Sequence, residues 1–358
     1  MVALKDNEDK NSFDTLVWLQ TGFLGDIVIT TAAFRFVREH CPDVKQIIIT
    51  TPIGAAALKD HPDLDGLLVF DKRNKSLFSE AKRLKIELSA MDLGRVWMLQ
   101  THRSFRSSFL CRLIGLPTIT YFESQGGFLA DKRVHRVAVL HEAQRILLLL
   151  EALGAERSWF SKALPFLSPV RRSEVLETLK KFAGSRPLIA LAPGSVWGTK
   201  RWPSEHYGEL SRLILQRSEA AIVIIGSKDE ILAADVVEKA AGDSLRVLNL
   251  AGLTNLDDLR AIFPEFRLLV SNDSSPLHYA SAFRTPTLAI FGATVPALGF
   301  GPLSPRKFVA EVELSCRPCG AHGPMNCPLG HFRCMKDQLP EQVMGQLINH
   351  FGDLLRIP

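Results

Sequence analysis

At 358 residues, 46% of them hydrophobic and 23% charged, the chain is too long for one ordinary core and too apolar for disorder, so two globular domains are expected. The net charge of +5 is modest and points to no nucleic-acid partner. The opening stretch MVALKDNEDKNSFD is polar, and no apolar run approaches the roughly 20 residues a membrane span needs, so a soluble cytoplasmic protein is expected.

Short runs rich in Val, Ile and Leu predict strands at 15–19, 46–51, 67–70, 96–100 and 137–140. Amphipathic segments at 27–39, 53–59, 77–88, 104–114 and 142–153 predict helices between and after them. The periodicity lapses over residues 161–173, which carry two prolines and suggest a linker. It then resumes with strands at 188–192, 221–225, 246–249, 268–271 and 287–291. Helices are predicted at 204–216, 230–240, 255–263, 275–282 and 340–355. Strand–helix alternation on this scale gives an α/β fold of two doubly wound parallel sheets, with ligands at the carboxyl ends of strands and in a cleft between domains. The boundaries read as an acceptor domain at 1–165, a linker at 166–185, a donor domain at 186–337 and a terminal helix at 338–358.

Four strand ends carry residues with chemical potential. After the first strand comes Thr21-Gly22-Phe23-Leu24-Gly25-Asp26, in which Asp26 either caps the following helix or faces the cleft as a general base. A dinucleotide fingerprint would need a third glycine, which argues against a dehydrogenase. The segment 192–203 (APGSVWGTKRWP) offers the hydroxyls of Ser195 and Thr199 and the cations Lys200 and Arg201 to a phosphate. The alternative is a surface loop with incidental cations, against which stand the two indoles, Trp197 and Trp202, costly to expose without a task. Trp202 falls at a helix N-cap and Pro203 at N1. Beyond Gly226, Asp229 and Glu230 either cap a helix with Ser227 or receive ribose hydroxyls. The segment 271–278 (SNDSSPLH) runs from a buried strand into a helix with Pro276 at N1. The amides near Ser274 and Ser275 form an anion site, and His278 follows one turn later. Asp273 fits beside a phosphate only if it orders the loop.

Two other features stand out. Between Arg95 and Arg145 lie eight cations, Arg95, Arg103, Arg106, Arg112, Lys132, Arg133, Arg136 and Arg145, against three acids. Such a surplus either meets phosphates and an anionic membrane or forms a solvated face. Cys316, Cys319, Cys327 and Cys334 crowd into nineteen residues, as a zinc site or as reduced thiols shaping a loop.

In order and spacing, GDIVITTAAFRFVRE, APGSVWGTKRWP, SNDSSPLHYASAFRTPTLAIFGAT and the late CRPC–CPLGHFRCM segment resemble glycosyltransferase family 9, the bacterial ADP-heptose:lipopolysaccharide heptosyltransferases. The resemblance extends over residues 16–337. It implies a GT-B fold, two Rossmann-like domains facing across a cleft, with the final helix returning toward the first. It implies Asp26 as general base with Gly25 beside it, and Lys200 on the donor diphosphate with the hydroxyls of Ser195 and Thr199. Asp229 or Glu230 would hold the ribose. Asp273, Ser274, Ser275 and His278 fall on the family's D-[ST]-G-x-x-H donor motif, with Ser275 in place of the glycine. His102, Arg103 and Arg106, and after them Arg133 and Arg136, are candidates for the acceptor. The implied reaction is an inverting, metal-independent transfer of L-glycero-D-manno-heptose from ADP-heptose to an anionic lipopolysaccharide core acceptor, at the inner face of the inner membrane. The residues alone also admit a GT-B transferase or epimerase using a UDP-sugar, or a non-catalytic nucleotide- or glycan-binding module.

Overall fold

Strands made of continuous apolar runs need cover on both faces, and two parallel sheets flanked by helices supply it. The computed structural model describes residues 13–242 and 245–355. Residues 1–12, which carry most of the argument against a secretory leader, lie outside the described residues. The chain divides into two units, Met1–Ser168 and Pro169–Pro358. Among the described residues no helix is long and apolar enough to cross a membrane.

The first unit holds strands β1 (Thr15–Gln20), β2 (Lys45–Thr50), β3 (Gly66–Val69), β4 (Val96–Gln100), β5 (Thr118–Tyr121) and β6 (Lys132–Val134). Its helices are α1 (Leu24–His40), α2 (Pro52–Ala57), α3 (Leu77–Ser89), α4 (Phe105–Ile114) and α5 (Glu142–Glu151). The sheet order is β3-β2-β1-β4-β5-β6, parallel throughout. The expected strand at 137–140 is a surface turn instead, with Val139 88% exposed. There the backbone carbonyls of Val137 and Ala138 accept hydrogen bonds from the Arg145 guanidinium. β5 and β6 take the place of that strand in the sheet. β6, Lys-Arg-Val, carries little apolar signal because it is a charged edge.

The second unit holds α6 (Glu174–Ala183), β7 (Leu188–Ala192), α7 (Ser204–Arg217), β8 (Ala221–Ile224), α8 (Ile231–Ala241) and β9 (Val247–Asn249). There follow α9 (Leu256–Ile262), β10 (Phe266–Asn272), α10 (Ser275–Phe283), β11 (Thr287–Ile290), β12 (Lys307–Ala310), α11 (Arg333–Lys336) and α12 (Pro340–Leu355). The parallel order is β12-β11-β10-β7-β8-β9.

One boundary differs from expectation. Half of the expected linker 166–185 is α6, capped by the Ser173 hydroxyl and burying Leu176, Leu179 and Ala183. The terminal helix α12 buries Val343, Met344, Leu347 and Phe351 in the second unit's core.

Each sheet changes winding direction once, between β1 and β4 in the first unit and between β7 and β10 in the second. Ligands of doubly wound sheets bind outside the carboxyl ends of the strands at such switch points. The segments following β1, β4, β7 and β10 are therefore the places where a site is expected.

Candidate active site

In the second unit, Asn272 at the end of β10 organises the switch point. Its buried side-chain oxygen accepts from the Trp202 backbone N–H at 3.1 Å and the Tyr207 hydroxyl at 3.2 Å. Its side-chain nitrogen donates to the carbonyls of Pro193 and Gly194. With all four bonds made, Asn272 ties β10 to the loop after β7 and is no ligand contact. Trp202 is not an exposed N-cap. It is buried, its indole N–H donates to the Gln338 carbonyl at 2.9 Å, and Pro203 caps α7. Trp197 is half-buried and stacks on His322, so neither indole stands free.

Lys200 Nζ lies 2.7 Å from Asp273 Oδ2, and that oxygen also accepts from the Thr294 hydroxyl at 2.7 Å. Asp273 thus orients the cation, the ordering role its place beside the expected phosphate site required. The ammonium keeps further donors for an anion. Ser274 is the N-cap of α10, with Pro276 at the second helical position, not the first. Pro276 has no N–H and that of Leu277 is bonded to the Ser274 carbonyl, so the amides of Ser274 and Ser275 are the donors the helix does not use. His278 is buried one turn in, edge-on to Phe300. Ser195 is buried in the loop beside Gly194, its carbonyl accepting from the Arg201 guanidinium at 2.6 Å.

Thr199 departs from its expected role. Its buried hydroxyl donates to the Pro324 carbonyl at 2.5 Å, and a methyl on Gly198 would lie 2.2 Å from the Met325 carbonyl oxygen. The late cysteine-bearing loop therefore braces the turn that carries Lys200. Arg317 fastens the same loop to the carbonyls of Gly292, Val312 and Thr294. No sequence signal announced this bracing. Of the cysteines, Cys316 Sγ lies 4.0 Å from His331 Nε2, and burial pushes Cys334 up to about 11. Among the described residues no group of three or more His, Cys, Asp and Glu converges as metal ligands would, so the four-thiolate alternative gains no support.

The two acids beyond Gly226 are also separated by geometry. Asp229 is exposed, whereas the Glu230 carboxylate accepts from the Ser227 N–H at 2.7 Å and lies across the ends of β7 and β8. A methyl on Gly194 would fall 1.9 Å from Glu230 Oε1, so only glycine lets the carboxylate rest there.

In the first unit, Asp26 is the third residue of α1, with Phe23 as N-cap; it is not itself the cap. Its carboxylate accepts from the Phe23 N–H at 3.1 Å, as acids at this position do. Gly25 is buried in the same turn. A methyl on Gly22 would lie 2.9 Å from Asp26 Oδ2 and from Gln20 Oε1, so glycine keeps this position from crowding the carboxylate.

After β4, His102 Nδ1 sits 3.0 Å from Ser107 Oγ, 3.2 Å from Ser104 Oγ and 3.3 Å from Thr21 Oγ1. Burial, and after it the cations Lys72 and Arg103, push this histidine down to about 4, so it is neutral at pH 7. Arg103 and Arg106 are exposed, and Arg106 donates to the Lys72 carbonyl at 2.8 Å. Lys72, which sequence reasoning missed, donates from Nζ to the Thr21 carbonyl at 2.6 Å. Burial and the neighbouring Arg73 and Arg106 hold its pKa below the ordinary lysine value. A lysine within Asp-Lys-Arg-Asn-Lys reads as a solvated run, and only the fold brings it beside the loop after β1.

Much of the remaining basic surplus is structural. Arg95 pairs with Asp14, Arg136 and the buried Arg145 share Glu142, and Lys132 lies over the Trp97 ring. Arg133 covers the Phe122 ring.

A family model described as glycosyltransferase family 9 (heptosyltransferase) matches residues 82–328, more than two thirds of the chain. Asp26 precedes that span. The chain is 25% identical over 331 residues to lipooligosaccharide heptosyltransferase 2 of Campylobacter jejuni, covering 91% of this chain and 95% of that protein. Among solved structures, the family 9 glycosyl transferase of Veillonella parvula superposes with a TM-score of 0.77 at 20% identity, covering 98% and 99% of the two chains. The E. coli ADP-heptose lipopolysaccharide heptosyltransferase II gives 0.71 at 20% identity, covering 95% and 98%. These structures share the two-sheet fold. The chain belongs to glycosyltransferase family 9, the heptosyltransferases, and is a glycosyltransferase.

Proposed function

We propose that the enzyme transfers a heptosyl group from ADP-heptose to the inner core of lipopolysaccharide or lipooligosaccharide, with inversion at the anomeric carbon. The observation that carries this reading is the Lys200 ammonium held by Asp273 beside the unused amides of α10, at the switch point of the second sheet. The names of the Campylobacter and E. coli relatives support the heptose donor and the acceptor class.

In this mechanism Asp26 takes the proton of the acceptor hydroxyl as that oxygen attacks the anomeric carbon from the face opposite the diphosphate. The bond to the diphosphate oxygen breaks, and ADP leaves with growing negative charge. Lys200, the Ser195 hydroxyl and the amides of Ser274 and Ser275 stabilise that charge, with His278 behind them. Glu230 rather than Asp229 receives the ribose hydroxyls, because its carboxylate alone is laid across the ends of β7 and β8. His102, Arg103 and Arg106, joined by Lys72, hold the anionic acceptor. The lipid-linked acceptor places the enzyme at the inner face of the inner membrane.

Lys200 and the helix amides supply positive charge at the leaving group, so transfer is metal-independent. Incubating the enzyme with ADP-heptose and truncated core glycolipids, with and without excess chelator, tests the reading. The expected product is a heptosylated core of inverted anomeric configuration, formed equally in both conditions. No product from ADP-heptose, or retained configuration, would refute the proposal; loss of activity with chelator would refute its metal independence.

A further inference from the structure

The first unit carries a set of exposed aromatic rings that the transfer chemistry leaves unused. Phe78, near the start of α3, meets Phe109 of α4 edge-on with ring centroids 6.0 Å apart, and Phe109 stacks on Phe105 at 6.2 Å. The Phe105 ring rests on Gly126, where a methyl would lie 2.9 Å from it, and the short helical turn Gly127–Leu129 that follows packs on α4. That turn presents Phe128. The rings are solvent-facing, with Phe78 64%, Phe105 51% and Phe128 72% exposed. Single exposed apolar residues need no explanation, but rings in contact with one another and an exposed Phe128 on the neighbouring turn do.

The charge around these rings is one-sided. Residues 72–89 and 103–112, which include the exposed parts of α3 and α4, hold nine Lys or Arg and two acids. Those acids, Glu80 and Glu87, both pair with Arg83. The two segments together exceed the net charge of the whole chain, so the rest of the chain is net negative. Phe105 and Arg106 open α4 just beyond the end of β4, so the rings begin at the strand ends where Arg103 and Arg106 stand.

We propose that this face is an interfacial docking surface for an anionic phospholipid bilayer. The rings enter the headgroup boundary and the surrounding cations pair with lipid phosphates, the two contributions on which peripheral membrane affinity depends. The proposal extends the reading of a lipid-linked acceptor, because a bilayer held there presents acceptor headgroups to the basic strand ends.

The test is co-sedimentation of the full-length enzyme with vesicles of phosphatidylcholine alone or of phosphatidylcholine with phosphatidylglycerol. The wild-type protein is expected to bind only the anionic vesicles, and less at high salt. The triple variant Phe78→Ser, Phe105→Ser, Phe128→Ser is expected to lose at least about tenfold in vesicle affinity. Its unfolding temperature, and its turnover of a deacylated water-soluble acceptor, should stay near wild type. Failure of the wild type to bind anionic vesicles overturns the proposal, as does undiminished binding by the triple variant; the second result leaves the rings to a protein contact. The vesicles carry no acceptor sugar, so a protein that binds them yet transfers nothing overturns the transferase reading and leaves this one standing.

Discussion

The two switch points hold their polar groups in different ways. In the second unit each group is held by another: Asn272 makes four buried hydrogen bonds, Asp273 fixes Lys200, and the Pro324 carbonyl braces the turn before it. In the first unit His102 and Lys72 are partly sheltered, while Arg103 and Arg106 project from exposed positions. A diphosphate is small and constant, and a preorganised cradle stabilises its developing charge without reorganisation at the moment of reaction. An oligosaccharide core bearing several phosphates is large and variable, and long flexible cations suit it better. On the proposed function, the contrast explains why the second unit's switch point carries a compact sequence motif while the first unit's shows only a drift of charge.

Removing the preorganised cation should have the largest effect. Lys200→Ala is expected to lower kcat by about 10² to 10³, a loss typical of a removed charge-stabilising donor. A variant whose kcat is unchanged and whose donor KM alone rises would make Lys200 a binding group only.

Next is the strut beneath it. Asn272→Ala strands the buried Trp202 N–H and removes the donor to the Pro193 and Gly194 carbonyls, while the Tyr207 hydroxyl keeps the Ala192 carbonyl. It should cost about 2–4 kcal/mol in denaturant unfolding. A loss below about 1 kcal/mol would show that the site is less tightly tied than its hydrogen bonds imply.

The exposed acceptor cations should matter less. The double variant Arg103→Ala, Arg106→Ala is expected to raise acceptor KM about tenfold with donor KM unchanged, and the wild-type acceptor KM to climb with salt. An unchanged acceptor KM would remove these two arginines from the acceptor site.

The smallest effect concerns His102. Its pKa is about 4 in the folded protein, against about 6.5 in an unfolded chain. Between those values the unfolded state binds more protons, so stability rises with pH across that window and is lost as pH falls. Above it His102 contributes no slope. His102→Gln should flatten the pH dependence of unfolding between about pH 4 and 6.5. An unaltered slope would place the shift elsewhere.

The central strands and their helices were legible because strands buried on both faces must be continuous apolar runs, as Thr15–Gln20 and Ala221–Ile224 are. The edges were not. Lys132–Val134 and Lys307–Ala310 are short, partly charged strands, and the more apolar 137–140 is a surface turn held by Arg145. The positions of Asp26, Lys200 and Ser274 at strand ends were readable from motif order. Side-chain direction was not: nothing in the sequence says that the Thr199 hydroxyl turns toward Pro324, that Trp202 enters the core, or that Glu230 lies over Gly194 while Asp229 faces solvent. Lys72 was hidden because its significance lies in a contact with Thr21, fifty-one residues away.

The proposed transfer depends on Asp26, whose carboxylate accepts from the Phe23 amide and lies against Gly22, where a larger residue would crowd it. The decisive measurement is single-turnover transfer from ADP-heptose to a core acceptor by Asp26→Asn, with binding of both substrates measured separately. The expected result is a transfer rate lowered by about 10² to 10⁴ with both affinities retained, the loss of a general base. Transfer at the wild-type rate by this variant would contradict the mechanism.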